Sequence, residues 1–140
     1  MRLLELCLSP NFGGLEIHFK DFCIWLSDKS QIDLYVASSD NSPIRQSLAS
    51  KNISQLSIKY RLSQFPLFAA ITLSGFIEKN NIDAVHLHWK HDLALVSLAK
   101  RICRKHFFII HTRFPYIYGI LGTIIDYKIK YLIIFIFNCV

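Results

Sequence analysis

The residues of this chain whose types and spacing could do chemistry fall at three places. They are Ser9-Pro10-Asn11-Phe12-Gly13-Gly14 with Glu16, the run His86-Leu87-His88-Trp89-Lys90-His91, and His111-Thr112-Arg113. Adjacent glycines allow backbone angles and close approaches that a side chain would block, and the first amides of a following helix lack intrahelical partners. A strand, a glycine pair and a helix start in that order suit an anionic group, phosphate above all. A bare turn is the other reading of a lone Gly-Gly pair. His111 reads either as a turn-stabilising polar residue or as a group beside reacting atoms.

The elements that must position these residues alternate. Arg2 to Leu8 reads as a short buried strand, and Leu15, Phe19, Phe22, Cys23 and Leu26 recur at helical spacing after the glycines. Asp33 to Ala37 forms a second strand that runs into the polar loop Ser38 to Pro43, a helix-start signal. Ile44 to Ser50 suits a short helix and Gln55 to Tyr60 a third strand. Phe65 to Lys79 suits a longer helix, with Pro66 allowed in its first turn. Asp83 to His88 is a fourth strand, His91 to Lys105 a fourth helix and Phe107 to His111 a fifth strand. Parallel strands need crossover connections, so this order predicts an α/β fold, a Rossmann-like open parallel sheet flanked by helices. Ligands of such sheets collect beyond the carboxyl ends of the strands. The Ser9 to Gly14 loop, Ser38 to Asp40, His88-Trp89 and His111-Thr112 are therefore expected on one rim.

Composition permits a single core of this kind. The 140 residues are 52% apolar and 19% charged, which excludes a disordered chain and allows a sheet buried on both faces. The net charge of +6 concentrates partly in Lys100, Arg101, Arg104, Lys105 and His106. That patch favours anionic partners, or simply complements a helix dipole. No zinc-finger spacing or aromatic RNP-type strand supports nucleic acid as a partner. Cys7, Cys23, Cys103 and Cys139 are scattered like reduced thiols. The first apolar run is broken by Glu5, a poor signal peptide, so a cytoplasmic protein is expected.

Several chemistries lack their residues. A dinucleotide dehydrogenase would need Gly-x-Gly-x-x-Gly at the first turn, and Asp40 without those glycines is a turn residue. A phosphoacceptor module would need an acidic pair where Ser9-Pro10-Asn11 stands. The run from His86 to His91 approaches the His-x-His-x-Asp-His pattern of metal-dependent hydrolases, but Lys90 occupies the position of the Asp. A cation there opposes a metal ion, so the plainer reading packs His86 in or near the core and leaves His88 as a hydrogen-bonder on the rim.

Taken in order, Gly13-Gly14 with Glu16 opening a helix, Asp83 to Trp89 on the fourth strand and Ile109-Ile110-His111-Thr112 on the fifth resemble the N-terminal domain of retaining GT-B, family-4-like glycosyltransferases. The resemblance covers residues 1–118. It implies transfer of a sugar from a nucleotide-sugar donor to a glycan or lipid-linked acceptor, with bacterial surface polysaccharide assembly as the family's usual setting. It further implies that Gly13 and Gly14 close over the donor diphosphate and that His111 stands beside the transferred sugar. Asn11, Glu16, His88, Trp89 and Arg113 would line the acceptor-side cleft. Fixed amides stabilise a departing diphosphate without reorganising, so no metal or other cofactor is expected.

Residues 119–140 form an apolar tail, expected as a helix plus a sixth strand, because the run is too interrupted for a membrane span. The family's donor-binding second domain has no counterpart in these residues. The chain is therefore expected to be inactive alone, as a truncated product or one half of a split enzyme with a separately encoded C-terminal half. Peripheral contact with the inner membrane is a further expectation. A non-catalytic binding module of the same fold with a degenerate cleft is the competing reading.

Overall fold

The computed structural model describes residues 1–40, 42–51, 53–59, 66–112 and 134–137, the last stretch by its backbone pairing alone. Six strands form one sheet: β1 (Arg2–Cys7), β2 (Asp33–Ser39), β3 (Ser54–Ile58), β4 (Ala84–Leu87), β5 (Phe108–Thr112) and β6 (Ile134–Phe137). Their order is β3-β2-β1-β4-β5-β6. The first five run parallel, as the alternation predicts, and β6 joins the edge antiparallel to β5. The order reverses between β1 and β4, which opens a crevice at the carboxyl ends of those two strands.

Crossover connections put α1 (Gly14–Ser27) and α2 (Pro43–Ser47) on one face and α3 (Leu67–Lys79) and α4 (Leu93–Ile102) on the other. Strand alternation then divides the core. Leu4, Leu6, Val85, Leu87 and Ile109 pack with Ala70, Leu73, Ile77, Leu95 and Ala99 of α3 and α4. Cys7 and Val36 pack with Phe19, Cys23, Ile44 and Leu48 of the other layer. Because both faces are covered, β1 is buried from Leu3 through Cys7, including its charged residue Glu5.

Most element ends differ from the sequence reading by one to three residues, and two helix ends have a clear physical stop. Ser42 accepts from the Ile44 amide at 3.2 Å and caps α2. Asn80 ends α3, and Asn81 follows with φ 53°, a left-handed value that asparagine tolerates. The fourth helix does not begin at His91: Lys90–Asp92 form one 3-10 turn, and α4 follows from Leu93 to Ile102. The third strand is Ser54–Ile58 rather than Gln55 to Tyr60. A helix in the tail, Arg113 and Cys139 lie outside the described residues.

The basic patch sits at the amino end of the sheet. Lys105 Nζ donates to Asp83 Oδ1 at 3.1 Å just before β4, and the Arg104 amide donates to Glu78 at the end of α3. Lys100 and Arg101 lie in the last turn of α4, where they complement its dipole. The patch therefore faces away from the carboxyl rim. Cys7, Cys23 and Cys103 are free thiols. Among the described residues no helix is long and apolar enough to cross a membrane.

Leu6 is fully buried in the layer beneath α3 and α4, between Ala37 of β2 and Leu87 of β4. Leu6→Ala is expected to destabilise the chain by about 2–5 kcal/mol, read as a lower urea midpoint with an unchanged denaturant slope.

Candidate functional site

The carboxyl ends of β1, β4 and β5 are adjacent, so the loop from Ser9 to Gly13, the pair His88-Trp89 and the pair His111-Thr112 stand along one stretch of rim. The first two flank the point where the strand order reverses.

The glycine corner is built differently from the expectation that it needs special backbone angles. Neither glycine has positive φ, and Gly13 is extended at φ −138°, ψ −157°. A Cβ on Gly14 would meet nothing within 4 Å, and one on Gly13 would meet only Glu16 Oε2 at 3.5 Å. The fold therefore does not require glycine at either position, which leaves close approach by a ligand as the property that the pair provides. Glu16 is turned back into the corner: its Oε2 accepts from the Gly13 amide at 2.8 Å, as the return half of a capping box. A carboxylate therefore already holds one of the amides that a phosphate would use. Asn11 is exposed, and its amide leans on Ser9 Oγ at 3.4 Å.

The loop's other end is held by a residue the sequence reading missed. Asp92 Oδ2 accepts from the Leu8 amide at 3.0 Å, directly after β1. Asp92 is completely buried, and its Oδ1 has no partner among the described residues. Burial raises its carboxyl from the ordinary 3.8 to about 7, against the lowering effect of the Leu8 hydrogen bond.

His88 does not stand on the rim as a hydrogen-bonder toward solvent. It is 5% exposed beneath α1, with Phe19 edge-on at 5.1 Å and Phe22 at 5.8 Å. Its Nε2 pairs with Glu5 Oε2 at 2.7 Å. The second oxygen of Glu5 meets His86 Nδ1 at 3.0 Å, and His86 Nε2 meets Thr112 Oγ1 at 2.6 Å. Four side chains from β1, β4, β5 and the turn after β4 thus form one hydrogen-bonded chain under the rim. Burial alone would raise the Glu5 carboxyl, but the hydrogen bonds and charges of His86 and His88 outweigh it and hold the group below its ordinary value. Burial pushes His88 the other way, below the usual imidazole value, despite the Glu5 carboxylate. Glu5 is thus ionised and His88 neutral near pH 7.

Trp89 is half-buried against the α1 layer and stacks edge-on with His91 at 4.8 Å. His111 is 8% exposed, beside Leu87 in register. Alternation along β5 puts it on the α3 and α4 face with Ile109, opposite Thr112. The sheet brings His88, Trp89 and the glycine corner toward its α1 face and sets His111 at the same edge from the other face. The signal for Glu5 was present as a lone charge inside an apolar strand, and that for Asp92 as an acid opening a helix. Neither reveals its partner.

This is a Rossmann-like α/β domain, the fold of the N-terminal half of GT-B glycosyltransferases. Residues 5–133 match the model of the glycosyl transferase 4-like family, and the chain belongs to that family. A glycosyltransferase from Rickettsia africae ESF-5 superposes with a TM-score of 0.63 at 18% identity, over 76% of this chain and 28% of that one. MurG from Acinetobacter baumannii superposes with a TM-score of 0.57 at 13% identity, over 72% of this chain and 32% of that one. The chain thus corresponds to about a third or less of either solved protein. No curated protein matches it.

Asp92 makes stability depend on pH with a definite sign. Below 3.8 the carboxyl is protonated in both folded and unfolded chains. Between 3.8 and about 7 the unfolded chain loses the proton while the folded one keeps it, so stability falls as pH rises through that window and levels off above it. Asp92→Asn is expected to remove this slope, an effect capped at roughly 4 kcal/mol. Thermal melts of both proteins at pH 4 to 8 check it, and parallel curves would show that Asp92 is ionised in the fold.

Proposed function

We propose that this chain supplies the acceptor-side half of a retaining glycosyltransferase, which moves a sugar from a nucleotide-sugar donor to a glycan or lipid-linked acceptor in polysaccharide assembly at the cytoplasmic side of the membrane. The family match over residues 5–133 carries this reading. The meeting of the glycine corner, His88-Trp89 and His111 at one edge supports it. Gly13 and Gly14 take the donor diphosphate, through the amides at the start of α1 that Glu16 leaves to a ligand. His111 faces the transferred sugar, and Asn11, Trp89 and Arg113 meet the acceptor. Glu16 and His88 act indirectly, as the cap of the corner and the support beneath the rim. The reaction needs no metal on the diphosphate, because the helix amides supply fixed positive dipoles.

The donor-binding half comes from a second domain, on the same or another polypeptide, since the solved relatives are about three times longer than the part this chain matches. Transfer by this chain alone is therefore not expected. The alternative, a binding module with a degenerate cleft, draws on one observation: the Glu16 carboxylate already occupies the Gly13 amide.

Amide NMR titration with nucleoside diphosphates and with glycan acceptors separates the two. Half a clamp is expected to show weak diphosphate shifts centred on residues 13–15. Gly14→Ala is expected to abolish those shifts while keeping or raising the melting temperature, since alanine is favoured over glycine in a helix by about 1 kcal/mol. Silence toward every diphosphate and acceptor would favour the degenerate module. Sustained sugar transfer by the isolated chain would refute the half-enzyme reading.

A lipid-linked acceptor would bring the rim to a membrane. Phe68 is 82% exposed in the first turn of α3 with Ile71 beside it, and Phe12 is exposed in the loop after β1. Phe68→Ser is expected to lower co-sedimentation with liposomes, and equal sedimentation of both proteins would remove that contact.

A further inference from the structure

The Glu5, His86 and His88 side chains lie away from the transfer chemistry and form a ligand set of a recognised kind, two imidazoles and one carboxylate. Their ligand-type atoms all lie within 4.8 Å of one another, and all three residues are buried. We infer that Glu5, His86 and His88 form a binding site for one divalent transition-metal ion of the zinc class, which staples β1 to β4 beneath α1.

Four observations carry this. The three donors are the set that zinc takes with a fourth position left open. They are preorganised, since Glu5 and His86 are register partners in adjacent strands and His88 follows β4 directly. His86 Nδ1 faces the carboxylate while its Nε2 pairs with Thr112 Oγ1, the outer hydrogen bond that fixes the orientation and tautomer of a metal-ligating histidine. Phe19 and Phe22 wall the cluster with their rings, an apolar shell that strengthens a cation's hold on its ligands. On the α1 side stands His18, half-buried, with its ring 6.2 Å from that of His88. It is a further imidazole beside the cluster, on the side of the open fourth position.

The sequence pattern pointed away from a metal because Lys90 stands where a third ligand belongs in a local motif. The fold brings the carboxylate from Glu5 instead, 81 residues from His86. Lys90 is exposed in the turn beyond His88, and His91 is paired with Trp89, so neither belongs to the cluster. On binding, the cation replaces the protons between imidazole and carboxylate. A neutral histidine moves its proton to the other ring nitrogen, and no bond of the chain is broken.

The test needs no transfer activity. The whole chain is purified from zinc-supplemented medium for elemental analysis, then stripped with chelator and titrated with Co²⁺, whose visible absorption reports its ligand field. Wild type and the control His91→Gln are expected to carry about one zinc per chain and to give a saturable cobalt spectrum. Glu5→Gln, which keeps the side chain's shape, and His88→Gln are expected to weaken binding by at least ~10-fold. Zinc is expected to raise the melting temperature of wild type and not of these two variants. Wild-type protein that is zinc-free as purified and gives no cobalt spectrum would overturn the inference, and would leave the triad held by protons alone. Equal binding by wild type and Glu5→Gln would also overturn it. If a variant fails to fold, the wild-type titration decides alone.

Discussion

A carboxylate taken wholly out of water must be compensated, and Glu5 is buried in the middle of the strand on which the sheet is centred. Its two oxygens are held by His86 and His88, and His86 passes the chain of contacts to Thr112. Three neighbouring strands are thereby tied just below the edge where the crevice opens. The arrangement also guards register. A slip of one residue between β1 and β4 would turn Glu5 and His86 to opposite faces and strand an ionised group among leucines.

Above this network the glycine loop is held at both ends by acidic side chains. Asp92 takes the amide that leaves β1, and Glu16 takes the amide that enters α1. Both contacts come from the first turns of helices or the turn before them, where acids are favoured by the dipole. A loop pinned in this way keeps its amides in place, which is what stabilisation of a leaving diphosphate requires. The cost is that one amide of the corner already has an anionic partner.

The layered fold was legible in the sequence because hydrophobic periodicity is local. Leu15, Phe19, Phe22, Cys23 and Leu26 mark one helical face whatever the rest of the chain does, and all but Leu15 and Phe22 are fully buried. The convergence of the three chemistry-bearing stretches was also legible, since a parallel sheet sends every strand end to the same edge. Helix and strand ends were less so. The turn at Lys90–Asp92 is set by the contact between Asp92 and Leu8, 84 residues apart, and no local pattern encodes it.

The sequence by itself determined the βα alternation, the parallel sheet, the family resemblance and the place of the glycine corner at a strand end, because each rests on residues close together in the chain. The tertiary structure alone decided which buried polar groups meet. Glu5 read only as an interruption of an apolar run and His88 as a residue of the rim. Pairing of β1 with β4 joined them under α1, because groups separated by about eighty residues meet only when the strands between them have found their order.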